Sequence, residues 1–576
     1  MDRYPLEYEA MKTAAGLLAL ALAATHSGCK DRACGNTDVS GVIAVEREYR
    51  GSASAFLAVG DCSGDGRPDV INSPQIFVAR ADGSFEARPV GFTVPPGTTV
   101  ATLVDLDVDG VSDLVLAGRT VDWRRGRGDC RFDGGGELAA PTRGQASQVA
   151  ATDIDLDGLT DLAVSYVERA ASPIVLLTAR GDGTFLDRTP AFAPRAASDP
   201  YLGYGTYFDD VDGDGARDLF VVADFDHGWM GWGRRADEPA FDRDARLTEL
   251  FATSQPMSLC PLDADRDGRI DYFISGVTDA NLLLHATGRR DLAPDPDAAP
   301  VTSRDTDFAW GCAALDADLD GWSDLLVLSL GGAMASSAPA TLYLNRRDGQ
   351  FGCVGPAVLD ATMNAQRVVC ADFDLDGQPD CVASDRDARS LVVLRDRLTA
   401  RGHWVGLRLR GTVSSPEASG ARVSLDGASP PLVVVAGGQS PIGGEHDRGV
   451  VLAVGALDRA DVTVTWPSGV RQSLRSLPTG AYAAVEEPRV LTVAPRVAPA
   501  DGTARVEVVV DAAAAGALAA TIGCSGACAW EGPATTDATG RTHRWLVAPT
   551  TPGSVRVEVA LDGVALAVRP RVRFGP

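Results

Sequence analysis

The chain has 576 residues, of which 23% are charged, 45% apolar and 6% aromatic. That apolar share is too high for a disordered chain, and the length supplies several folding units. Asp and Glu number 78 against 53 Lys and Arg, a net charge of −25; this argues against a nucleic-acid partner, since phosphate binding is driven by basic side chains, and favours cations wherever the carboxylates cluster.

In chain order, the first element is Met11-Lys12 followed by the apolar run Thr13 to Ala24. A charged start and a short hydrophobic stretch make residues 1–28 a secretory signal. The run is about half the ~20 residues that span a bilayer, and no later segment is long and apolar enough to cross one. His26-Ser27-Gly28-Cys29 resembles a bacterial lipoprotein box. The resemblance implies acylation of Cys29 and a lipid-anchored protein on the outer surface of a cell envelope; cleavage at an Ala-x-Ala site such as Ala21-Leu22-Ala23 is the alternative. An oxidising compartment suits disulfides among the ten remaining cysteines. Cys524 with Cys528, and Cys370 with Cys381, are the expected pairs; several buried free thiols are the alternative. Zinc is not expected, because the six histidines are scattered and no paired C-x-x-C motifs occur.

An acidic nonapeptide then recurs seven times. Its positions 1, 3, 5, 7 and 9 are Asp61, Ser63, Asp65, Arg67 and Asp69 in the first copy. They are Asp105, Asp107, Asp109, Val111 and Asp113 in the second, and Asp153, Asp155, Asp157, Leu159 and Asp161 in the third. The fourth has Asp210, Asp212, Asp214, Ala216 and Asp218; the fifth has Asp263, Asp265, Asp267, Arg269 and Asp271. The sixth has Asp316, Asp318, Asp320, Trp322 and Asp324, and the seventh Asp372, Asp374, Asp376, Gln378 and Asp380. Position 6 is glycine throughout, and successive copies start 44, 48, 57, 53, 53 and 56 residues apart. A period of this length marks a solenoid, propeller or array.

Carboxylates at positions 1, 3 and 5 converge when the backbone turns sharply, and Gly at 6 permits that turn. The carbonyl at 7 and the Asp at 9 complete a shell of hard oxygens suited to Ca²⁺, giving about six or seven ions per chain. The first copy is the weakest, because Ser63 replaces a carboxylate. Solvated Asp-Gly turns are the alternative, and constant internal spacing in seven copies argues against them. EF-hands are excluded, since position 12 is Asn72, Leu116, Val164, Val221, Ile274, Val327 and Ala383 in turn, never the Glu such a loop requires. Each loop is followed by a short apolar run such as Asp113-Leu114-Val115-Leu116, and preceded by one such as Gln148-Val149-Ala150-Ala151. The loop therefore joins two strands. A second hairpin follows at Asp82-Gly83, Asp182-Gly183 and Asp348-Gly349, read as a two-residue turn with Phe85, Phe185 or Phe351 returning to the core. Four strands per unit make one propeller blade.

These repeats resemble the FG-GAP (integrin α-type, VCBS) propeller repeats over residues 39–400. The resemblance implies a seven-bladed β-propeller whose acidic loops hold Ca²⁺ and whose ligand is met elsewhere on the disc. Arg127-Gly128-Asp129 and Arg180-Gly181-Asp182 spell an adhesive tripeptide but fall at hairpin turns, so no adhesive role is assigned to them. Trp229 and Trp232 could stack on a sugar; packing into the sheet is the favoured reading.

Beyond Leu398 the motif stops. His403-Trp404-Val405-Gly406, Gly420-Ala421-Arg422-Val423 and Trp466-Pro467-Ser468-Gly469 resemble the ASPIC/UnbV domain of cartilage-acidic-protein-like surface proteins, over residues 401–490. The stretch Ala436 to Gly444 departs from that family's Tyr-containing segment. Residues 495–576 read as short, evenly spaced strands, an Ig-like β-sandwich. The expected fold class is thus all-β throughout.

Catalytic patterns are missing. No Ser has Gly at both −2 and +2, no His is followed by Glu, and Lys occurs only at 12 and 30. The expected function is a non-catalytic, calcium-binding envelope protein that presents a rigid propeller to a surface protein or glycan. The alternative is a polysaccharide- or phosphoester-acting enzyme using the propeller as scaffold; a purely structural role is the third reading.

Overall fold

The computed structural model describes residues 40–576 except 51–55, 139–143, 168–172, 182, 190–202, 224–227, 236–238, 277–280, 296–300, 302–307, 332–335, 438, 441–443, 446, 527 and 576. The expected secretory signal, residues 1–28, and Cys29 lie outside the described residues, as does Asp182.

Among the described residues up to Leu398, antiparallel strands form seven sheets. The second sheet shows the plan: Val100–Val104, Asp113–Ala117, Val121–Gly126 and Phe132–Glu137 pair in sequence order. The first strands of successive sheets touch one another. Ala58–Gly60 meets Val100–Val104, and the series continues through Gln145–Thr152, Gly203–Asp209, Pro256–Leu262, Phe308–Leu315 and Val368–Ala371. That last strand returns to Ala58–Gly60, so the succession closes on itself. The core follows the same rule, because each apolar cluster is shared by two neighbouring sheets. Leu57, Val70 and Phe77 of the first sheet, for example, pack with Val369, Val382 and Val393 of the last. Middle strands are therefore covered on both faces, which is why Asp113–Ala117 and Ile174–Ala179 are buried at every position.

The strand Gly41–Arg50 pairs antiparallel with Ser390–Leu398 as the outermost strand of the last sheet. The N-terminus thus completes the sheet built by the end of the repeat array. Trp229 and Trp232 are buried, in accord with packing. Ala245–Ser254 is an α-helix, capped by the Asp244 side chain accepting from Leu247 N–H, and Ala512–Ala515 is a short 3-10 helix; the described residues are otherwise mostly strand and turn.

The second hairpin differs from expectation. Ala79 pairs with Phe85, Ala179 with Phe185 and Asn345 with Phe351, so the turn is longer than two residues. Arg80 N–H bonds Ser84 O, and Gly83 takes φ +78°. The glycine fills the left-handed position of a three-residue loop, and Asp82 Oδ1 accepts from Ser84 N–H at 3.0 Å. Phe85 and Phe351 do return to the core. Arg127-Gly128-Asp129 lies in the corresponding turn of the second sheet.

After Leu398 come a three-stranded sheet of Gly449–Gly455, His403–Arg410 and Tyr482–Glu486, and a four-stranded one built on Arg422–Leu425 and Arg459–Thr465. Two further sheets follow, the first opening with Leu491–Ala494, a few residues ahead of the expected boundary. Val405, Trp466, Val490, Val508, Val557 and Phe574 belong to a single apolar cluster. The two C-terminal units therefore share one core. The disulfides Cys370–Cys381 and Cys524–Cys528 form as expected; Cys62–Cys130 and Cys260–Cys312 join neighbouring sheets.

Candidate functional site

All seven acidic loops have one backbone design. Position 9 is the first residue of the second strand and pairs with the residue just before position 1, as in Val104 with Asp113 and Leu315 with Asp324. Gly at position 6 has positive φ in every copy, from +82° at Gly215 to +94° at Gly110. Its N–H donates to the position-1 carboxylate at 2.8–3.2 Å in all seven. The N–H of position 7 donates to the position-5 carboxylate, for example Val111 to Asp109 and Trp322 to Asp320 at 2.9 Å. Position 4 also takes positive φ in every loop, at Gly64, Val108, Leu156, Gly213, Arg266, Leu319 and Leu375. Only the two glycines signal this in the sequence.

Position 9 has a role the spacing does not reveal. Each of these aspartates is buried. Asp113 accepts Leu106 N–H on one oxygen and Gly126 N–H, from the third strand, on the other, at 3.0 and 2.8 Å. Asp161, Asp218, Asp271 and Asp324 repeat the pattern. The residue is a clasp between loop and sheet whatever else it binds.

Carboxylates at positions 1, 3 and 9 come together, with oxygens within 4.8 Å, in the second, third and fourth loops. In the fifth loop Asp265 and Asp271 converge with His285. His285 Nδ1 lies 2.9 Å from Asp271, whose carboxylate raises the imidazole pKa to about 9; the scattering of the six histidines offers no sign of this. Several loop carboxylate oxygens are buried without a hydrogen-bond partner: Asp107 Oδ1, Asp155 Oδ1, Asp157 Oδ2, Asp210 Oδ1, Asp263 Oδ1 and Asp374 Oδ1. Orphaned hard oxygens of this kind, one or two to a loop and set among the neighbouring carboxylates, fit a divalent cation with flexible oxygen coordination.

Burial penalises their charge. It pushes Asp69, Asp105, Asp113 and Asp210 up to about 6, Asp372 and Asp380 to about 7, and Asp218 and Asp263 to about 8. Arginines supply part of the compensation. Arg125 reaches Asp107 at 2.7 Å, Arg290 reaches Asp212 at 3.1 Å, and Arg347 reaches Asp320 at 2.6 Å.

The C-terminal body covers the loop end of the ring. Tyr482 donates to Asp372 Oδ2 at 2.8 Å, Glu417 accepts Asp105 N–H at 2.8 Å, and Arg422 donates to Asp210 O at 2.7 Å. Trp404 lies against Gly377, where a Cβ would sit 2.2 Å from its ring.

Residues 316–383, which hold the sixth and seventh loops and the hairpin between them, match the family model of the FG-GAP-like repeat. No curated protein matches the chain. Among solved structures, the exotype rhamnogalacturonan lyase YesX is 14% identical, with 63% of this chain and 76% of that one covered at a TM-score of 0.37. The Dos1 propeller is 12% identical, with 73% and 96% covered at a TM-score of 0.34. BBS1N, from a complex with ARL6DN, is 11% identical, with 62% and 98% covered at a TM-score of 0.37.

Proposed function

We propose that the chain is a calcium-stabilised, non-catalytic binding scaffold: a seven-bladed propeller, capped at its loop end by a small ASPIC/UnbV-like β domain and an Ig-like sandwich, and lipid-anchored through Cys29 to the outside of a cell envelope. The observation that carries this reading is the identical folding of the acidic loops around buried, orphaned carboxylate oxygens such as Asp107 Oδ1, Asp210 Oδ1 and Asp374 Oδ1. Positions 1, 3 and 5, with the carbonyl at 7 and the carboxylate at 9, would hold the ion. When bound, Ca²⁺ neutralises carboxylates that burial disfavours and fixes the ends of the first two strands of a blade. The cap covers that end of the ring, which leaves the opposite end to meet a protein or glycan. The test is thermal unfolding of the full chain in millimolar Ca²⁺ and in chelator, with elemental analysis of the desalted protein. A rise of several degrees with bound calcium is expected; identical curves and no metal would refute the reading.

A further inference from the structure

The seven loops differ at one place outside the acidic spacing. In every copy the third strand of the sheet donates one backbone N–H to the position-9 carboxylate, as Gly126 does to Asp113 and Ala286 to Asp271. The residue just before that donor is Val78, Arg125, Thr178, Trp232, Leu344 or Arg395 in six copies, and His285 in the fifth. Of these side chains, only the imidazole carries a nitrogen that gives a lone pair to a metal ion.

That nitrogen faces the loop. His285 Nδ1 lies 2.9 Å from Asp271 Oδ2 and 3.8 Å from Asp265 Oδ2, and a donor atom from each of the three residues lies within 4.8 Å of the others. Two donors on one tetrahedral zinc ion stand about 3.3 Å apart, so these separations bracket a shared ion. On the other side of the ring, Nε2 lies 3.1 Å from Asp295 Oδ2. Asp295 N–H is bonded to Leu283 O, just past the strand Asp291–Pro294 that pairs with Leu282–Gly288. A carboxylate that takes Nε2–H leaves the Nδ1 lone pair aimed into the loop, which is how outer carboxylates orient histidine ligands.

A second observation comes from position 1. Asp263 is 2% exposed, and its Oδ1 has no hydrogen-bond partner. Burial, and then the charges of Asp271, Asp267 and Asp265, push its carboxyl up, so this orphaned oxygen belongs to the same cluster. Asp265, with 42% of its side chain exposed, leaves the cluster open to solvent on one side.

We infer that the fifth loop is a mixed nitrogen–oxygen site for a first-row transition-metal ion of zinc type, ligated by His285 Nδ1 with Asp263, Asp265 and Asp271, with Asp295 as its positioning residue. An imidazole among carboxylates suits zinc and its neighbours, whereas calcium takes oxygen ligands. In the metal-free chain the imidazolium charge answers Asp271, and metal binding releases its proton. The inference rests on reading the loops as cation sites and departs from that reading in the ion this one holds.

The experiment strips the full chain with chelator, equilibrates it in millimolar Ca²⁺ with micromolar Zn²⁺, and counts both metals after desalting. Wild type is expected to keep one zinc per chain. His285→Gln should keep none, with its calcium count and circular dichroism unchanged. Asp295→Ala retains every ligand and should weaken zinc binding about tenfold or more, again without loss of calcium. Co²⁺ offered in place of Zn²⁺ should give the visible absorption of a four-coordinate site in wild type and not in His285→Gln. Calcium bound without zinc, or zinc held equally well by His285→Gln or Asp295→Ala, overturns the inference and leaves the calcium reading standing. Zinc held through His285 in a chain that binds no calcium upholds the inference and refutes the calcium reading. Binding of neither metal overturns both.

Discussion

The carboxylate of Asp324, at the start of the second strand of its sheet, accepts the backbone N–H of Asn345, on the third strand, at 2.8 Å, while its other oxygen accepts Ala317 N–H from the loop. One side chain thus ties loop to sheet through two buried bonds. Asp324→Ala leaves both donors without an acceptor, at about 1–3 kcal/mol each. The expected outcome is a lower urea midpoint in chelator as well as in Ca²⁺. Asp320→Ala, at position 5, gives up the Trp322 N–H bond and the Arg347 pair, and should lower it more in Ca²⁺ than in chelator.

Asp107 and Asp374 each keep a buried oxygen without a partner. Asp107→Asn and Asp374→Asn remove a charge that ordinary hydrogen bonds do not compensate. Each should abolish part of the melting increment that Ca²⁺ confers, by a degree or more, and leave the chelated protein as stable as wild type or more so. Paired melting curves in both buffers check this.

The pH response of the chelated protein should be unusual in sign. Asp218 and Asp263 sit at about 8 in the fold against an ordinary 3.8, because burial disfavours their charge. The folded chain then binds more protons than the unfolded one between these values, so stability falls as pH rises from about 4 to about 8. Urea midpoints in chelator should drop across that range. With Ca²⁺, which favours the ionised carboxylates, the drop should shrink.

Gly66 and Gly377 occupy the same place in two loops, at φ +85° and +93°, but only Gly377 faces the Trp404 ring. Gly66→Ala should cost the left-handed strain alone, about 1–2 kcal/mol. Gly377→Ala adds a collision with the cap and should cost more, with limited proteolysis detecting release of residues beyond 400.

The repeat architecture was legible because its signals are local. Position-locked Asp and Gly fix the loops, and apolar runs on either side fix the strands. The left-handed residue at position 4 was not, since Val108, Leu156 and Leu319 carry side chains that ordinarily avoid that region. Nor was the two-sided grip of Asp324, which depends on how the third strand registers. The covering of Asp155 was equally hidden, because its partners lie some 400 residues downstream, at Arg556 and Arg571. The unpredicted strand Gly41–Arg50 belongs to the same class, paired with the far end of the array.

That last pairing sets an order on biosynthesis. Gly41 lies opposite Leu398, so a chain made from its N-terminus emerges with this segment long before its mate exists. Contacts of such high separation form late and slow folding, and an unmated strand edge invites wrong partners. The nascent protein must hold its opening strand unsatisfied through the synthesis of six sheets, and only the arrival of Ser390–Leu398 snaps the clasp shut.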